Sequence, residues 1–293
     1  MNRSLICIAT LALTATAVAD EIDQRQDADP SGLVSVYNTS GSIEISGWDR
    51  AEIEVSGSIG DDVNEFIFER SGPVTTIKVN VPNNTFGRVD VSSNLVIRVP
   101  AESSLDVGTV SADIEVEGVR GEQELQAVSG DIQTEVFGSD LKANTVSGDI
   151  DVDAEGEGEA RLVSVSGDIT ARGLNGEINA EAVSGDIDIR SGSFDEIKAE
   201  TVNGDISWVG ELRKKGRLDM ETVNGGIDIE FIGVVDARFD IETFNGRIKN
   251  CFGPKPERTS KYAPGWELSF TEGDGLGRVT LATLNGSLDL CKG

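Results

Sequence analysis

Val128-Ser129-Gly130-Asp131-Ile132, Val146-Ser147-Gly148-Asp149-Ile150 and Val165-Ser166-Gly167-Asp168-Ile169 are three copies of one short phrase. Variants of it stand at Val110–Ile114, Val183–Ile187, Val202–Ile206, Val223–Ile227, Phe244–Ile248 and Leu284–Leu288, nine copies in all. Thr39-Ser-Gly-Ser-Ile43 is a more distant tenth. The central position falls at 112, where Ala replaces Gly, then at 130, 148, 167, 185, 204, 225, 246 and 286. A fixed period of this kind signals a repeat architecture.

Each copy alternates in polarity. Two and four places after the Gly the side chains are mostly apolar, as in Ile150 and Val152 or Ile187 and Ile189. One and three places after it they are mostly polar, as in Asp149 and Asp151. Seven and five places before it they are apolar again, as in Leu141 and Ala143, and the third place before is Thr, Ser or Ala. A period of two means strands with one inward face. Each unit therefore holds two strands and a corner at Ser-Gly or Asn-Gly, with a second turn at Gly138, Gly156, Gly173, Gly192, Gly210 or Gly233. Glycine at the corner is expected for a positive φ. One such unit cannot bury its apolar face, whereas stacked units form a continuous core. The expected fold is all-β, a right-handed parallel β-solenoid or β-helix. Nine coils at ~4.8 Å give a rod of roughly 40 Å. Aromatic residues are only 5% of the chain, so a core built on large aromatics is not expected.

The N-terminus reads as a secretory signal peptide over residues 1–19, with Arg3, an apolar stretch from Leu5 to Val18 and Ala17-Val18-Ala19 as the cleavage site. The stretch is too short to span a bilayer, and no later segment is apolar enough. The cleaved chain carries 24 basic and 52 acidic residues, a net charge of −28. That excludes nucleic acid, whose phosphates need a basic patch. The expected location is the periplasm, or the cell surface after secretion.

Residues 30–105 are β-rich but irregular and read as an N-terminal β cap or irregular first coils, followed by solenoid repeats over 106–293. A cap is needed because a bare end strand templates aggregation. One insertion, 252–275, interrupts the last repeats. Its aromatics Tyr262, Trp266 and Phe270 break the pattern and are a candidate interaction surface; the alternative is that they cover the last coils. Cys251 and Cys291 each lie five places after a corner Gly, so they occupy the same place in neighbouring coils. In-register neighbours fall within disulfide distance, and export to an oxidising compartment allows the bond. Closing 40 residues would stabilise the fold by roughly 3–4 kcal/mol in the entropic model.

The Val-Ser-Gly-Asp-Ile runs, with Gly47-Trp48-Asp49 and Thr283-Leu284-Asn285-Gly286, resemble a bacterial putative-adhesin family, an exported β-solenoid domain of unknown function. The resemblance covers residues 30–292. It implies a cell-envelope protein and brings no catalytic residues; fold-level analogy does not itself give adhesion.

The Asp after the corner would stack into a column. Asp131, Asp149, Asp168 and Asp186 are candidate calcium ligands, since calcium accepts carboxylate oxygens flexibly. The bland alternative is that they cap the turns. No other metal and no cofactor is indicated. Polysaccharide-acting β-helix enzymes use acidic clusters, but here the acids are spread evenly by the repeat, and a site breaks such evenness. The chain has no His, which removes His-based triads, bases and metal sites. The function expected is a non-catalytic structural or interaction protein of the envelope, adhesin-like, with an unidentified protein or glycan partner. Cation or polysaccharide binding through the acidic face is the alternative.

Overall fold

A computed structural model describes residues 20–82, 90–262 and 264–293. The signal segment expected over 1–19 lies outside them. The described chain is all-β and β-solenoid-like. Each repeat is one flat coil, named below by its corner residue. In the Gly148 coil, Leu141–Ser147 precedes the corner and Ile150–Glu155 follows it. Both strands pair in parallel with their equivalents above and below: Leu141↔Gln123 and Leu141↔Ala160, Ile150↔Ile132 and Ile150↔Ile169. The expected alternation sets what is buried. Leu141, Ala143, Ile150 and Val152 are at most 1% exposed.

The corner glycines differ from expectation. None from Gly130 to Gly286 has a positive φ. The constraint is contact between coils. A Cβ on Gly148 would lie 2.1 Å from the Gly130 carbonyl oxygen, and one on Gly167 would lie 2.0 Å from that of Gly148. Parallel coils at their normal spacing bring each corner Cα over the carbonyl below, and only a missing side chain fits. Positive φ belongs to the second turn, at Gly138, Gly156, Gly173 and Gly233, but not at Gly192 or Gly210. The inward Thr or Ser three places before the corner serves the same carbonyls. Thr201 Oγ1 donates to Gly185 O at 3.1 Å and Thr222 Oγ1 to Gly204 O at 3.0 Å. A buried hydroxyl thus finds an acceptor and a buried carbonyl a second donor.

Chain order and stacking order part at both ends. The strand Leu33–Trp48 is a coil in register, with Gly41 opposite Ala112 and Ile43 opposite Ile114. Its other edge carries Val74–Asn80 and Ser93–Pro100, which come later in the chain. Antiparallel strands then close this end: Glu65–Ser71 on the first, Glu52–Ile59 and Asp20–Asp27 on the second. At the far end the Gly286 coil packs directly on the Gly225 coil, and the Gly246 coil lies outside it. The insertion supplies Trp266–Glu272, an antiparallel strand beside Ala237–Thr243.

The core also changes along the rod. Aliphatic residues fill the early coils. In the later coils Phe194, Trp208, Phe231, Phe239, Phe252 and Phe270 form a continuous aromatic chain, against the expectation from composition. The few aromatics are concentrated rather than absent.

A valine-lined trough and an acidic column

The first residue of each repeat phrase points outward. Val110, Val128, Val146, Val165, Val183 and Val202 are 40–49% exposed, and Leu284 and Phe244 are 47% exposed. With the half-buried Val223 they stack into one apolar ladder along the rod. Two places earlier stands a second outward column: Gln126, Asn144, Val163, Glu181, Glu200, Glu221, Ala282 and Glu242. Between the two, the small Thr, Ser or Ala turns inward and is buried. The result is a shallow trough with two walls and a floor of small residues.

Three recesses merge along this trough. The first, about 590 Å³, is lined by Tyr37, Lys78, Val110, Val128, Val146 and Val165 among others. The second, about 340 Å³, shares Val163 and Val165 with it and continues past Val183 and Val202. The third, about 400 Å³, shares Glu221 and Val223 and ends against Thr259 and Gly265 of the insertion. Scattered exposed apolar residues are normal on a protein surface, but a contiguous run marks an interaction site.

The walls differ in charge along the length. Near the N-terminal end the polar lining groups are amides and hydroxyls, with Lys78 the one charged side chain among them, and Tyr37 donates to Asp106 Oδ2 at 2.7 Å. That hydrogen bond to a carboxylate holds the phenol above the usual tyrosine range. The C-terminal half carries Glu181, Glu200, Glu221 and Glu242. Arg161 pairs with Glu181 at 3.2 Å and Lys198 with Glu200 at 2.8 Å. Among the described residues, no cation lies within ion-pair distance of Glu221 or Glu242.

The acidic column exists and is joined through the backbone. Asp113 Oδ1 accepts the amide of Asp131 at 3.1 Å, and Asp131, Asp149, Asp168 and Asp186 accept the amides of Asp149, Asp168, Asp186 and Asp205 at 2.7–2.9 Å. Each carboxylate caps the corner of the next coil with one oxygen and leaves the other in solvent. Among the described residues no three His, Cys, Asp or Glu side chains converge on a metal-sized site.

The aromatics of the insertion separate. Phe270 stacks on Phe239, ring centroids 4.4 Å apart, and contacts Phe252. Trp266 is half-buried beneath Arg258, whose guanidinium carbon lies 4.9 Å from the ring centre. Tyr262 alone is exposed, at 91%. Two of the three thus cover the last coils, and no common surface joins all of them. Cys251 and Cys291 form the expected disulfide, with Cα atoms 4.9 Å apart, fastening the outermost coil to its neighbour.

The valine ladder was legible in the alternation. Places seven, five and three before the corner point inward, so places four and two before it must point outward; the apolar residue at the latter is the exception to the pattern.

Two solved structures are similar to the chain. One is a protein from Parabacteroides distasonis described as a putative lipid binding protein, 15% identical, with TM-score 0.53, covering 94% of this chain and 97% of that one. Another is a putative adhesin from Bacteroides fragilis, 12% identical, with TM-score 0.44, covering 92% and 97%. At 15% identity the likeness to the first concerns fold alone. No curated protein matches the chain. The family model described as Toastrack DUF4097 matches residues 34–288.

Proposed function

The chain belongs to the Toastrack DUF4097 family, and from that premise we propose that it is an exported, non-catalytic binding protein of the cell envelope whose partner lies in the valine-lined trough. The winding is taken as right-handed, the sense that parallel β-crossovers favour. The N-terminal segment sends the chain to the periplasm or onward to the surface, and the antiparallel ends keep the rod from templating on itself. The observation that carries the proposal is the unbroken ladder from Val110 to Phe244. An apolar stripe exposed along a whole rod costs solubility, and a bound partner offsets that cost. The absence of His and the even spacing of acids support a role without catalysis. Among the described residues no helix is long and apolar enough to cross a membrane.

Photo-crosslinking side chains placed at Val146 and Val183 test this in cells making the full chain, with Asp151 and Asp188 on the strands after the corner as controls. Crosslinked products are expected from the valine positions and not from the aspartates. Products from neither valine position, or the same products from all four, would overturn the assignment.

A further inference from the structure

The trough does not have one character along its length, and its chemistry narrows the partner. We propose that it docks an extended polypeptide segment, apolar over the N-terminal half of the rod and Lys- or Arg-bearing over the C-terminal half. This rests on the trough being the binding surface, as proposed above.

Three observations lead to it. The first is shape. The trough lies between two side-chain columns only two residues apart on one strand and runs across all nine coils, roughly 40 Å at ~4.8 Å per coil. About twelve extended residues at ~3.3 Å each would fill it. The second is the placement of charge. Glu181, Glu200, Glu221 and Glu242 stand on one wall, opposite Val183, Val202, Val223, Leu284 and Phe244 on the other. A long basic side chain fits both walls at once: its alkyl stem covers valine while its head reaches a carboxylate. A fatty acid or anionic headgroup would meet like charge there. The third is the gap at the closed end. Ala282 stands between Glu221 and Glu242 in the stacking order, because the Gly286 coil separates the Gly225 and Gly246 coils. The small residue opens the recess that Thr259 and Gly265 close, and neither glutamate has a cation of its own among the described residues. Both carboxylates are available to a partner.

The net charge of the protein attracts any cation, so the test separates the trough from the general field. A fluorescent peptide of about twelve alternating Lys and Val residues is titrated by anisotropy into the intact exported protein. It is expected to bind at least tenfold more tightly than a Lys–Ser peptide of equal charge and than a Glu–Val peptide of equal apolarity. The double substitution E221Q/E242Q is expected to weaken it about five- to tenfold. E115Q/D228N, the same charge change on strands after the corner, is expected to alter it less than twofold. All four side chains are exposed or lie on the outward face, and circular dichroism checks that each variant is folded. Equal binding of the Lys–Ser or Glu–Val peptide, an equal loss in the control variant, or no binding of Lys–Val would overturn the proposal. So would a labelled oleate that binds while Lys–Val does not. The crosslinking above detects any occupant whatever its charge, so a trough that crosslinks in cells but shows no preference for Lys–Val fails only the present inference.

Discussion

Asn285 donates its side-chain amide to Asn224 Oδ1 at 2.9 Å although 61 positions separate them, while Asn245, which comes between them in sequence, donates to Asn285 from the outside. The asparagine ladder thus runs 203, 224, 285, 245. The chain makes the outermost coil first and then slides its last coil beneath it. The disulfide and the trough both depend on that order: Cys291 lies under Cys251, and Ala282 between two glutamates.

Corner glycines are expected to fail by collision rather than by backbone strain. Gly148→Ala puts a Cβ 2.1 Å from Gly130 O and should cost about 1–3 kcal/mol. Gly148→Asn should be no better. Gly138 has φ +66° and nothing nearer than 3.5 Å to an added Cβ, so Gly138→Asn should cost under ~1 kcal/mol. Urea denaturation of the three variants measures this, and rescue of Gly148 by Asn would restore the positive-φ explanation.

The acidic column is expected to act as a set of caps. Asp149→Ala removes the acceptor of the Asp168 amide and should cost ~1 kcal/mol. Asp149→Asn keeps an acceptor oxygen and removes a repelling charge, so it should equal or exceed the parent in stability. Thermal midpoints in calcium and in chelator should coincide. A midpoint raised by calcium and lost in the Asn variants of Asp131, Asp149, Asp168 and Asp186 would establish the cation role instead.

Reduction of Cys251–Cys291 should loosen one end only. A solenoid coil contacts its neighbours alone, so the effect should not travel. Hydrogen exchange is expected to rise over 237–250 and 266–272 and to stay unchanged around Gly148, with a loss of roughly 3–4 kcal/mol in global stability at most. Intact mass should rise by two units on reduction. Faster exchange spread evenly along the rod would contradict local fastening.

The N-terminal end carries an acid-sensitive junction. Glu54 bonds to the guanidinium of Arg25 and accepts from Arg98 Nη1 at 2.9 Å, joining three antiparallel strands. The Arg25 hydrogen bond, chiefly, holds its carboxyl below the usual glutamate range. Its stabilising effect is complete above the unfolded value, about 4.3, and is lost as pH falls through the lower folded value. Between about pH 5 and pH 3, Glu54→Gln should flatten the fall of the denaturation midpoint. An unchanged slope would show that other carboxylates govern acid unfolding.

The sequence by itself determined the period, the inward and outward parity and the pairing of the two cysteines. Each follows from a local rule: strand side chains alternate, and equal offsets from equal corners coincide when coils stack in register. It did not determine which coil lies beside which. Every corner offers the same backbone ladder in the same register, so Gly286 fits on Gly225 or on Gly246 equally well as sequence. That choice fell to the tertiary structure, where the antiparallel strand at 266–272 seals the outer edge of Ala237–Thr243 and Phe270 closes the aromatic core on Phe239. Tertiary structure also decided why the corner is Gly, since a carbonyl one coil away is invisible from within a single strand. It made a trough of residues that the sequence showed only as the first letter of a repeat, because a ladder becomes a surface only when the coils are stacked.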